Sequence, residues 1–249
     1  MIRRLASVFG NLLDSLLFTP DGVCPICRRV LFFTDDWLCA SCRSELTHNS
    51  GEICERCGAS LRNGEDRVCV SCSSLEGSES LSGGFIWLRY KSGCGSVVRR
   101  IKSGKAAQLG RICGREMGSE MVKSGFLEKT GQDVLIAPVP LHPQRLQERG
   151  YNQSRVLAEG IAAASGFEVA PEDSFRRIRK TPHQAWLGRK ERLTNVQDAF
   201  AASEDVFRGR TVLLVDDVKT TGATLVSAAS AILSAGANKV YCACLTDAA

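Results

Sequence analysis

Two adjacent carboxylates, Asp216 and Asp217, stand shortly before a loop that is rich in hydroxyl groups. The loop residues are Thr220, Thr221, Gly222, Ala223 and Thr224. Backbone N–H groups and hydroxyls at the start of a helix bind anions, and the helix dipole adds to the attraction. Carboxylates repel a phosphate, so the acid pair would hold vicinal hydroxyls, a cation or developing positive charge instead. A phosphate and a diol held close together describe a ribose 5-phosphate.

The sequence around this motif predicts the elements that position it. Residues 212–215 are four consecutive aliphatics, which is typical of a strand buried on both faces of a parallel sheet. Residues 223–235 follow with a helical pattern. Ligands of open α/β sheets bind outside the carboxyl ends of the strands, where we expect the acids and the loop to lie. The glycine is not followed by Lys-Ser/Thr, so the loop is not a P-loop.

A second buried strand is predicted at residues 133–138, and it leads into a cationic, proline-rich stretch. Arg145 and Arg149 suit bidentate contact with phosphate oxygens, although a solvated loop would have a similar composition. His142, between two prolines, is interpreted as an anion contact rather than a general base. The following helix would be capped by Asn152 or Ser154. We therefore expect a stiff cationic loop at the same edge of the sheet.

The remaining elements of the sheet are predicted from shorter patterns. Residues 85–90 are typical of an edge strand, and residues 238–245 of a final strand. Residues 97–104 predict a short basic helix, and residues 106–124 a longer helix with a face of small residues.

Residues 174–192 form a basic segment with a single acidic residue. Its cations are Arg176, Arg177, Arg179, Lys180, Arg189, Lys190 and Arg192, and a Thr-Pro-His-Gln run that ends at Gln184 interrupts them. A solvated charged face would mix the two signs more evenly. The pattern therefore favours a mobile loop that closes over an anion, or a nucleic-acid patch.

Eight of the twelve cysteines fall in four Cys-x-x-Cys pairs. They are Cys24, Cys27, Cys39, Cys42, Cys54, Cys57, Cys69 and Cys72. Each pair offers two thiolates to a tetrahedral metal, which predicts two structural Zn²⁺ ions with no open coordination position. The pairs form either two zinc ribbons in series, 24–42 and 54–72, or a cross-braced arrangement. Because such modules fold around their metal, we expect zinc removal to unfold residues 24–72 and leave the phosphate site nearly intact.

Composition limits the classes of protein to which this chain can belong. The hydrophobic fraction is 44%, and we find neither a stretch long enough to span a bilayer nor a convincing signal peptide. Paired cysteines in such a chain favour a reducing cytosol, and Cys94, Cys113, Cys242 and Cys244 are interpreted as core residues. Eight thiolates around two Zn²⁺ would remove most of the formal charge of +5, so nucleic-acid binding would depend on local patches.

The order of these segments predicts two domains. Residues 2–17 carry an apolar stripe at helical spacing, which predicts a helix that packs on the protein's own body or binds a membrane surface or partner. A Ser/Gly/Glu-rich stretch at residues 73–84 is typical of a linker. We therefore divide the chain into residues 1–80, with the helix and a double zinc ribbon, and residues 81–249, with the α/β sheet.

Residues 212–224 resemble the phosphoribosyl pyrophosphate (PRPP) signature of type I phosphoribosyltransferases. The order of the whole chain resembles the ComF family, bacterial competence-associated proteins with a double zinc ribbon joined to a phosphoribosyltransferase domain. The motifs that carry this resemblance are the four cysteine pairs, VPLHPQRLQERGYNQS, TPHQAWLGRKERLTNVQDAF and DDVKTTGAT. It implies an α/β fold, a type I phosphoribosyltransferase-like parallel sheet flanked by helices, with an N-terminal double zinc ribbon.

The resemblance also implies a role for each motif. PRPP would bind with Mg²⁺, its ribose hydroxyls on Asp216 and Asp217 and its 5-phosphate on residues 220–224. The pyrophosphate contacts would come from Leu141, His142, Arg145 and Arg149. The flexible loop over the site would carry Arg176, Arg179, Lys180, Gln184, Arg189 and Arg192. Lys219 falls at a variable position of the signature, and no segment identifies the acceptor.

Two functions are compatible with these residues. The first is a phosphoribosyltransferase that releases pyrophosphate and is linked to DNA uptake in natural transformation; the intact acids and loops favour it. The second is a non-enzymatic adaptor that senses PRPP and binds single-stranded DNA. Its candidate stacking residues are Phe32, Phe33, Trp37, Phe175 and Trp186. The resemblance implies a cytoplasmic bacterial protein, at most peripheral to the inner membrane, with a competence helicase or other DNA-uptake proteins as partners.

Overall fold

The computed structural model describes residues 22–31, 36–62, 64–90, 93–131, 133–179 and 199–248. The helix predicted at residues 2–17 lies outside these ranges. The described strands are β1 (Gly84–Arg89), β2 (Val134–Pro138), β3 (Glu168–Val169), β4 (Phe175–Arg177), β5 (Phe200–Ala202), β6 (Thr211–Lys219) and β7 (Lys239–Asp247). The described α-helices are α1 (Ala40–Glu45), α2 (Val70–Ser73), α3 (Cys94–Lys102), α4 (Ala107–Lys123), α5 (Phe126–Thr130), α6 (Pro143–Arg149), α7 (Gln153–Ser165), α8 (Glu204–Phe207) and α9 (Ala223–Ser234).

Five strands form one parallel sheet in the order β1-β7-β6-β2-β3, while β4 and β5 form a separate antiparallel hairpin. The strand predicted at residues 212–215 lies at the centre of the sheet, and its four aliphatic side chains are fully buried. Val212 and Leu214 pack in one core layer, and Leu213 and Val215 pack in the other. A sheet that is covered on both faces explains the uninterrupted apolar run and confirms the predicted fold class.

The central strand β6 continues past its neighbour β2. Val215 pairs with Pro138, the last residue of β2, whereas β6 stays paired with β7 as far as Lys219, which lies opposite Asp247. The acid pair was predicted to follow the strand but lies inside it. This prediction is wrong because the partner strand, and not the local apolar run, decides where β6 ends. Pairing with β7 therefore holds the acids in an extended backbone.

Helices α4 and α7 pack closely on one face of the sheet. A Cβ placed on Gly114 would lie 2.2 Å from the carbonyl oxygen of Leu157, and one on Gly160 would lie 2.2 Å from that of Arg111. Both distances are far below a van der Waals contact, so only glycine permits this approach. The small-residue face predicted for residues 106–124 is confirmed.

The cysteines gather in two tetrads. Cys24, Cys27, Cys39 and Cys42 form the first tetrad, and Cys54, Cys57, Cys69 and Cys72 form the second. The ribbons are therefore in series, and the cross-braced alternative is wrong. The first tetrad packs in the core layer that contains α3 and α4, and the second packs in the layer that contains α9. The two ribbons thus lie on opposite faces of the sheet.

The stretch at residues 73–84, predicted to be a linker, is part of the folded body. Leu75, Ser78 and Leu81 are buried, and Ser78 begins a 3₁₀ turn that ends at Ser80. The guanidinium of Arg56 donates to the Ser78 hydroxyl, which donates to the carbonyl oxygen of Cys72. The linker prediction is wrong because it was based on the overall Ser/Gly/Glu content, whereas a few buried side chains are enough to anchor a short turn. A domain boundary at residue 80 stays a prediction.

The other predicted elements are present with small differences in their bounds. The strand β1 lies at an edge of the sheet, as predicted, and the basic helix α3 begins at Cys94 rather than at Val97. Cys94, Cys113, Cys242 and Cys244 are fully buried, which confirms them as core residues. Among the helices of the described ranges, none is both long and apolar enough to cross a bilayer.

Replacing Gly160 with alanine should destabilise the protein, because the new methyl group collides with the backbone of α4. Overpacking of this kind typically costs about 1–3 kcal/mol. Arg115→Ala, on the exposed side of α4, is the control and should change the free energy of unfolding by less than about 0.5 kcal/mol. Urea denaturation measures both variants. Equal midpoints for the two would contradict the close packing of α4 and α7.

Candidate functional site

A cleft of about 170 Å³ lies at the carboxyl edge of the sheet, where β6 extends beyond β2. It brings together residues that were predicted from distant segments. From β6 and the loop after it, the cleft is lined by Asp216, Asp217, Thr220, Gly222 and Thr224. From the proline-rich stretch it is lined by Leu141, Arg145 and Arg149. Thr221 and Ala223 belong to the same loop without being cleft-lining residues.

The two acids have different surroundings. Asp216 Oδ1 accepts hydrogen bonds from the Ser154 hydroxyl at 3.0 Å and from the backbone N–H of Asp217 at 2.9 Å. Asp217 Oδ2 forms an ion pair with Lys102 Nζ at 3.1 Å. Burial and then the charge of Asp217 raise the pKa of Asp216 to about 7. Near neutral pH the pair therefore holds a proton that a cation or a hydroxyl-donating ligand would displace.

The loop after β6 leads directly into α9. Gly222 has a φ of +86°, a conformation that side chains rarely adopt, and it stands at the N-cap of the helix. The hydroxyl of Thr221 accepts from the N–H of Ala223 at 3.4 Å. The first N–H groups of a helix lack intrahelical partners and lie at the positive end of its dipole. The loop is therefore built to receive an anion.

The proline-rich stretch contains a helix. Residues 143–149 form α6, so the predicted loop is limited to the residues before Pro143. The prediction is wrong because proline is well tolerated in the first turn of a helix. His142 caps α6, its Nδ1 accepting from the N–H of Gln144 at 3.3 Å. It is not among the residues that line the cleft, and its role as an anion contact stays a prediction.

Several residues line the cleft without having been predicted as site residues, among them Lys102, Gln153, Ser154 and Lys219. Gln153 is 2% exposed, and its side-chain oxygen has no hydrogen-bond partner among the described residues. An unpaired buried acceptor beside a cleft indicates a donor that a ligand supplies. Asn152 caps α7 by accepting from the N–H of Ser154 at 3.0 Å. Of the two residues predicted as the cap, Asn152 is therefore the one that caps the helix.

The basic segment begins on the β4–β5 hairpin beside the cleft. Arg177 lines the cleft, with its guanidinium 5.3 Å from the centre of the Phe200 ring. Arg176 lines a neighbouring cavity of about 420 Å³ instead. The N–H of Ile178 donates to the carbonyl oxygen of Ala199 at 2.8 Å, which joins the two sides of the hairpin. Lys180, Gln184, Arg189 and Arg192 lie outside the described residues, so the flexible loop stays a prediction.

The tetrads fit zinc. In each tetrad the four sulfur atoms lie within 4.8 Å of one another. A tetrahedral Zn²⁺ with bonds of about 2.3 Å places its sulfurs roughly 3.8 Å apart. The Sγ–Sγ distance is 3.6 Å between Cys27 and Cys39 and 3.7 Å between Cys57 and Cys69. Four thiolates with no carboxylate are typical of structural zinc, so the tetrads form two structural zinc sites.

The fold, the cleft and the tetrads define a phosphoribosyltransferase-like α/β protein that is joined to a double zinc ribbon. Residues 13–73 match the family model of the double zinc ribbon domain, and residues 160–249 match that of the phosphoribosyl transferase domain. Competence protein F of Haemophilus influenzae is 39% identical over 92 residues, which cover 36% of this chain and 40% of that protein.

DNA utilization protein YhgH of Escherichia coli K12 is 28% identical over 152 residues, which cover 60% of this chain and 66% of that protein. The aligned stretch thus spans less than two thirds of either relative. A solved structure of glutamine PRPP amidotransferase from B. subtilis is 19% identical with a TM-score of 0.37, covering 54% of this chain and 26% of that one. Two parts of the chain thus match a domain model each, and the chain is similar to proteins named for competence and for DNA utilization.

Asp216→Asn should raise the melting temperature more at pH 8 than at pH 5. The pKa of Asp216 is about 7 in the folded protein, against 3.8 in the unfolded chain. The ionised carboxylate therefore lowers the free energy of unfolding, and this loss grows as the pH rises from 3.8 through 7. The neutral amide removes that cost. Each kcal/mol corresponds to roughly 2–4 °C in a protein of this size. Calorimetry at both pH values measures the melting temperatures, and the exposed Asp173→Asn variant is the control. An equal rise in the melting temperature of Asp216→Asn at the two pH values would contradict the raised pKa.

Proposed function

We propose that this protein binds PRPP together with Mg²⁺ in the cleft and transfers its phosphoribosyl group to a nucleophile, with release of pyrophosphate. The observation that carries the proposal is the convergence of an anion-binding loop, an acid pair and several cations on one cleft. Each of the three suits one part of PRPP, namely its 5-phosphate, its ribose hydroxyls and its pyrophosphate. A site for nucleic acid alone would contain cations without the acid pair, because carboxylates repel the phosphate backbone.

Different residues of the cleft bind different parts of PRPP. N–H groups and hydroxyls at residues 220–224 take the 5-phosphate, and Asp216 and Asp217 accept hydrogen bonds from the ribose hydroxyls. The two arginines of α6, with Arg177 from the hairpin, bind the pyrophosphate. Carboxylate oxygens are ligands that suit Mg²⁺, and the ion would supply charge neutralisation for the departing pyrophosphate.

The reaction depends on positioning the reactants more than on covalent catalysis. The bond between C1 of the ribose and the pyrophosphate oxygen breaks with its electron pair on that oxygen. The lone pair of the nucleophile forms the new bond at C1, and the nucleophile loses a proton. Positive charge develops on the ribose meanwhile, and the neighbouring carboxylates stabilise it. Because Asp216 accepts hydroxyls best when it is ionised, binding at pH 7 is coupled to loss of its proton.

Lys102 has a separate role in this proposal. Lys102 pairs with Asp217, and its side chain is one-third exposed. When ribose hydroxyls occupy the acid, the ammonium is released to contact a phosphate oxygen. Its charge offsets the repulsion that the acid pair exerts on a ligand with several phosphates. The unpaired oxygen of Gln153 supplies an acceptor for a further hydroxyl or amine.

The family suggests where such an activity is used. The two named relatives are a competence protein and a DNA utilization protein. We therefore propose that the protein acts in DNA uptake during natural transformation, on the cytoplasmic side of the bacterial inner membrane, alongside a helicase or other uptake proteins. The acceptor of the phosphoribosyl group is not specified by any described residue.

The alternative, a PRPP-sensing adaptor for single-stranded DNA, finds less support in the described residues. Trp37 is 3% exposed, and its indole N–H donates to Glu116 Oε1 at 2.8 Å, so its ring is unavailable for stacking on bases. Phe175 is likewise buried, against Phe200 and Phe207. Phe32, Phe33 and Trp186 lie outside the described ranges. The adaptor function would then depend on cations such as Arg176.

Phosphorus NMR of PRPP with Mg²⁺ and the zinc-loaded protein tests the proposed function. Nucleobases and then single-stranded DNA are added in turn. We expect pyrophosphate release that depends on one additive and is lost in Asp216→Asn/Asp217→Asn. Perturbed PRPP signals without release in any mixture would favour the sensing adaptor, and unperturbed signals would overturn PRPP binding altogether.

Lys102→Ala should weaken PRPP binding by about 10–100-fold, because a hydrogen bond to a charged group typically contributes about 1.5–3 kcal/mol. Lys102→Arg should keep most of the affinity. Arg99→Ala, on the exposed side of the same helix, is the matched control and should bind as the wild type does. Isothermal titration calorimetry measures all three. A Lys102→Ala variant that binds as tightly as Arg99→Ala would remove Lys102 from the site.

A further inference from the structure

A further cavity lies at the carboxyl edge of the sheet, between Leu61 on the second ribbon, Arg89 at the end of β1 and Asp247 at the end of β7. We call it the ribbon cavity. Its volume is about 320 Å³, and small-molecule sites typically measure about 300–1,000 Å³. None of the residues that line it also lines the cleft. The ribbon cavity is therefore separate from the site at the acid pair.

Arg89 presents an unpaired donor on the wall of the ribbon cavity. Its Nη2 donates to the carbonyl oxygen of Ser50 at 3.1 Å, and its backbone N–H donates to that of Thr47 at 2.9 Å. These two bonds hold the residue in place, yet its Nε is buried without a hydrogen-bond partner among the described residues. Because buried polar groups are almost always paired, an unpaired guanidinium N–H on a cavity wall indicates an acceptor that a ligand supplies.

The charges around the ribbon cavity favour a negative ligand. Arg62, on the second ribbon, adds a second guanidinium to that of Arg89. Among the described lining residues the one acid is Asp247, and its Oδ1 already forms an ion pair with Lys219 Nζ at 3.4 Å. The lining therefore carries a surplus of positive charge. A planar guanidinium suits the oxygens of a carboxylate or a phosphate, which it binds in a bidentate manner.

The other walls of the ribbon cavity limit the rest of the ligand. Leu61 and the ring of Tyr90, which is 46% exposed, offer apolar surface. The hydroxyl of Ser60 donates to Asn49 Oδ1, and Asn49 Nδ2 donates to the carbonyl oxygen of Gly58 at 2.8 Å. Both ends of this amide are therefore engaged within the wall itself. An oxyanion attached to a small apolar or aromatic body fits these walls better than a ligand with two charged ends.

The ribbon cavity is connected to the loop at residues 220–224 through Lys219. This lysine lines the cleft, and its side chain is 1% exposed. Besides its ion pair with Asp247, its Nζ lies 3.5 Å from the carbonyl oxygen of Thr220, the first residue of the loop. The backbone N–H of Ala248, on the cavity wall, donates to the carbonyl oxygen of Lys219 at 2.8 Å. One residue thus separates a ligand in the ribbon cavity from the loop.

We propose that the ribbon cavity is an effector site for a small molecule with a carboxylate or phosphate group. The oxyanion binds the guanidinium of Arg89, and the apolar part of the molecule packs on Leu61 and Tyr90. Through Asp247 and Lys219, the bound molecule restrains the loop at residues 220–224. The consequence of this restraint for PRPP binding rests on the function proposed above, whereas the site itself does not.

Benzoate and phenyl phosphate are the probes, one for each oxyanion, and NMR of the full, zinc-loaded chain follows the backbone amides of residues 61, 62, 89 and 90. We expect one probe or both to shift these amides, and the tighter-binding probe identifies the oxyanion. Arg89→Gln should weaken binding by at least about tenfold, because a hydrogen bond to a charged group is lost. Arg67→Gln, an exposed arginine of the same ribbon outside the cavity lining, is the matched control and should bind as the wild type does.

A second variant keeps the test decisive if Arg89→Gln fails to fold. Ala248 is exposed on the cavity wall, so Ala248→Phe should block the probe and leave Arg89 unchanged. The effector site would be overturned if neither probe shifted these amides at millimolar concentration. Equal affinity in Ala248→Phe and Arg67→Gln would overturn it as well.

Hydrogen exchange of the amides of residues 220–226 tests the connection to the loop. Saturating probe should slow this exchange in the wild type and leave it unchanged in Ala248→Phe, whereas a probe bound in the cleft would slow it in both. Lys219→Met/Asp247→Asn removes both charges of the pair, so neither is left buried and unpaired. This double variant should bind the probe without slowing the loop.

Loop exchange that the probe does not slow in the wild type, or slows equally in the double variant, would overturn the connection. None of these measurements uses PRPP. A protein that failed to bind PRPP would therefore contradict the proposed function, and the effector site would still be decided.

Discussion

The pairing of β6 with β7 beyond the end of β2 is the constraint on which the site depends. Four residues of β6, from Asp216 to Lys219, lie along this part of the ladder, and Lys219 pairs with Asp247. Asp216 accepts from Ser154 on α7 and Asp217 pairs with Lys102 on α3, whereas the buried ammonium of Lys219 pairs with Asp247. A single strand therefore serves both the cleft and the interior.

The central sheet explains why two similar ribbons have different surroundings. Each face of a parallel sheet must be covered, and here helices and a zinc ribbon pack on each face. The first ribbon contacts Glu116 on α4 through Trp37 and Arg43. The second meets β1 so closely that a Cβ on Gly58 would lie 2.2 Å from the carbonyl oxygen of Gly84. The two ribbons therefore have different surroundings although their cysteine spacing is the same.

Local patterns were sufficient for much of this protein. The apolar run at residues 212–215, the hydroxyl-rich loop and the cysteine spacing each predict structure within a few residues, because strand burial, helix starts and metal ligation have short-range signatures. The ion pair of Lys102 with Asp217 has no such signature, since it joins residues that only the tertiary fold brings together. The same holds for the buried state of Lys219 and for the ordered stretch at residues 73–84, whose overall polar composition gives no sign that Leu75, Ser78 and Leu81 are buried.

The close contact between the second ribbon and β7 has a consequence for biosynthesis. The cysteines of this ribbon leave the ribosome well before Cys242, whose Sγ lies 3.8 Å from the carbonyl oxygen of Cys57 in the finished protein. At about 5–20 residues per second, some 170 residues of further synthesis take roughly 10–35 s. During that interval the ribbon has its metal ligands but lacks the surface on which it packs. A ribbon that acquires zinc during this interval therefore holds the ion on an exposed surface until the last strand arrives.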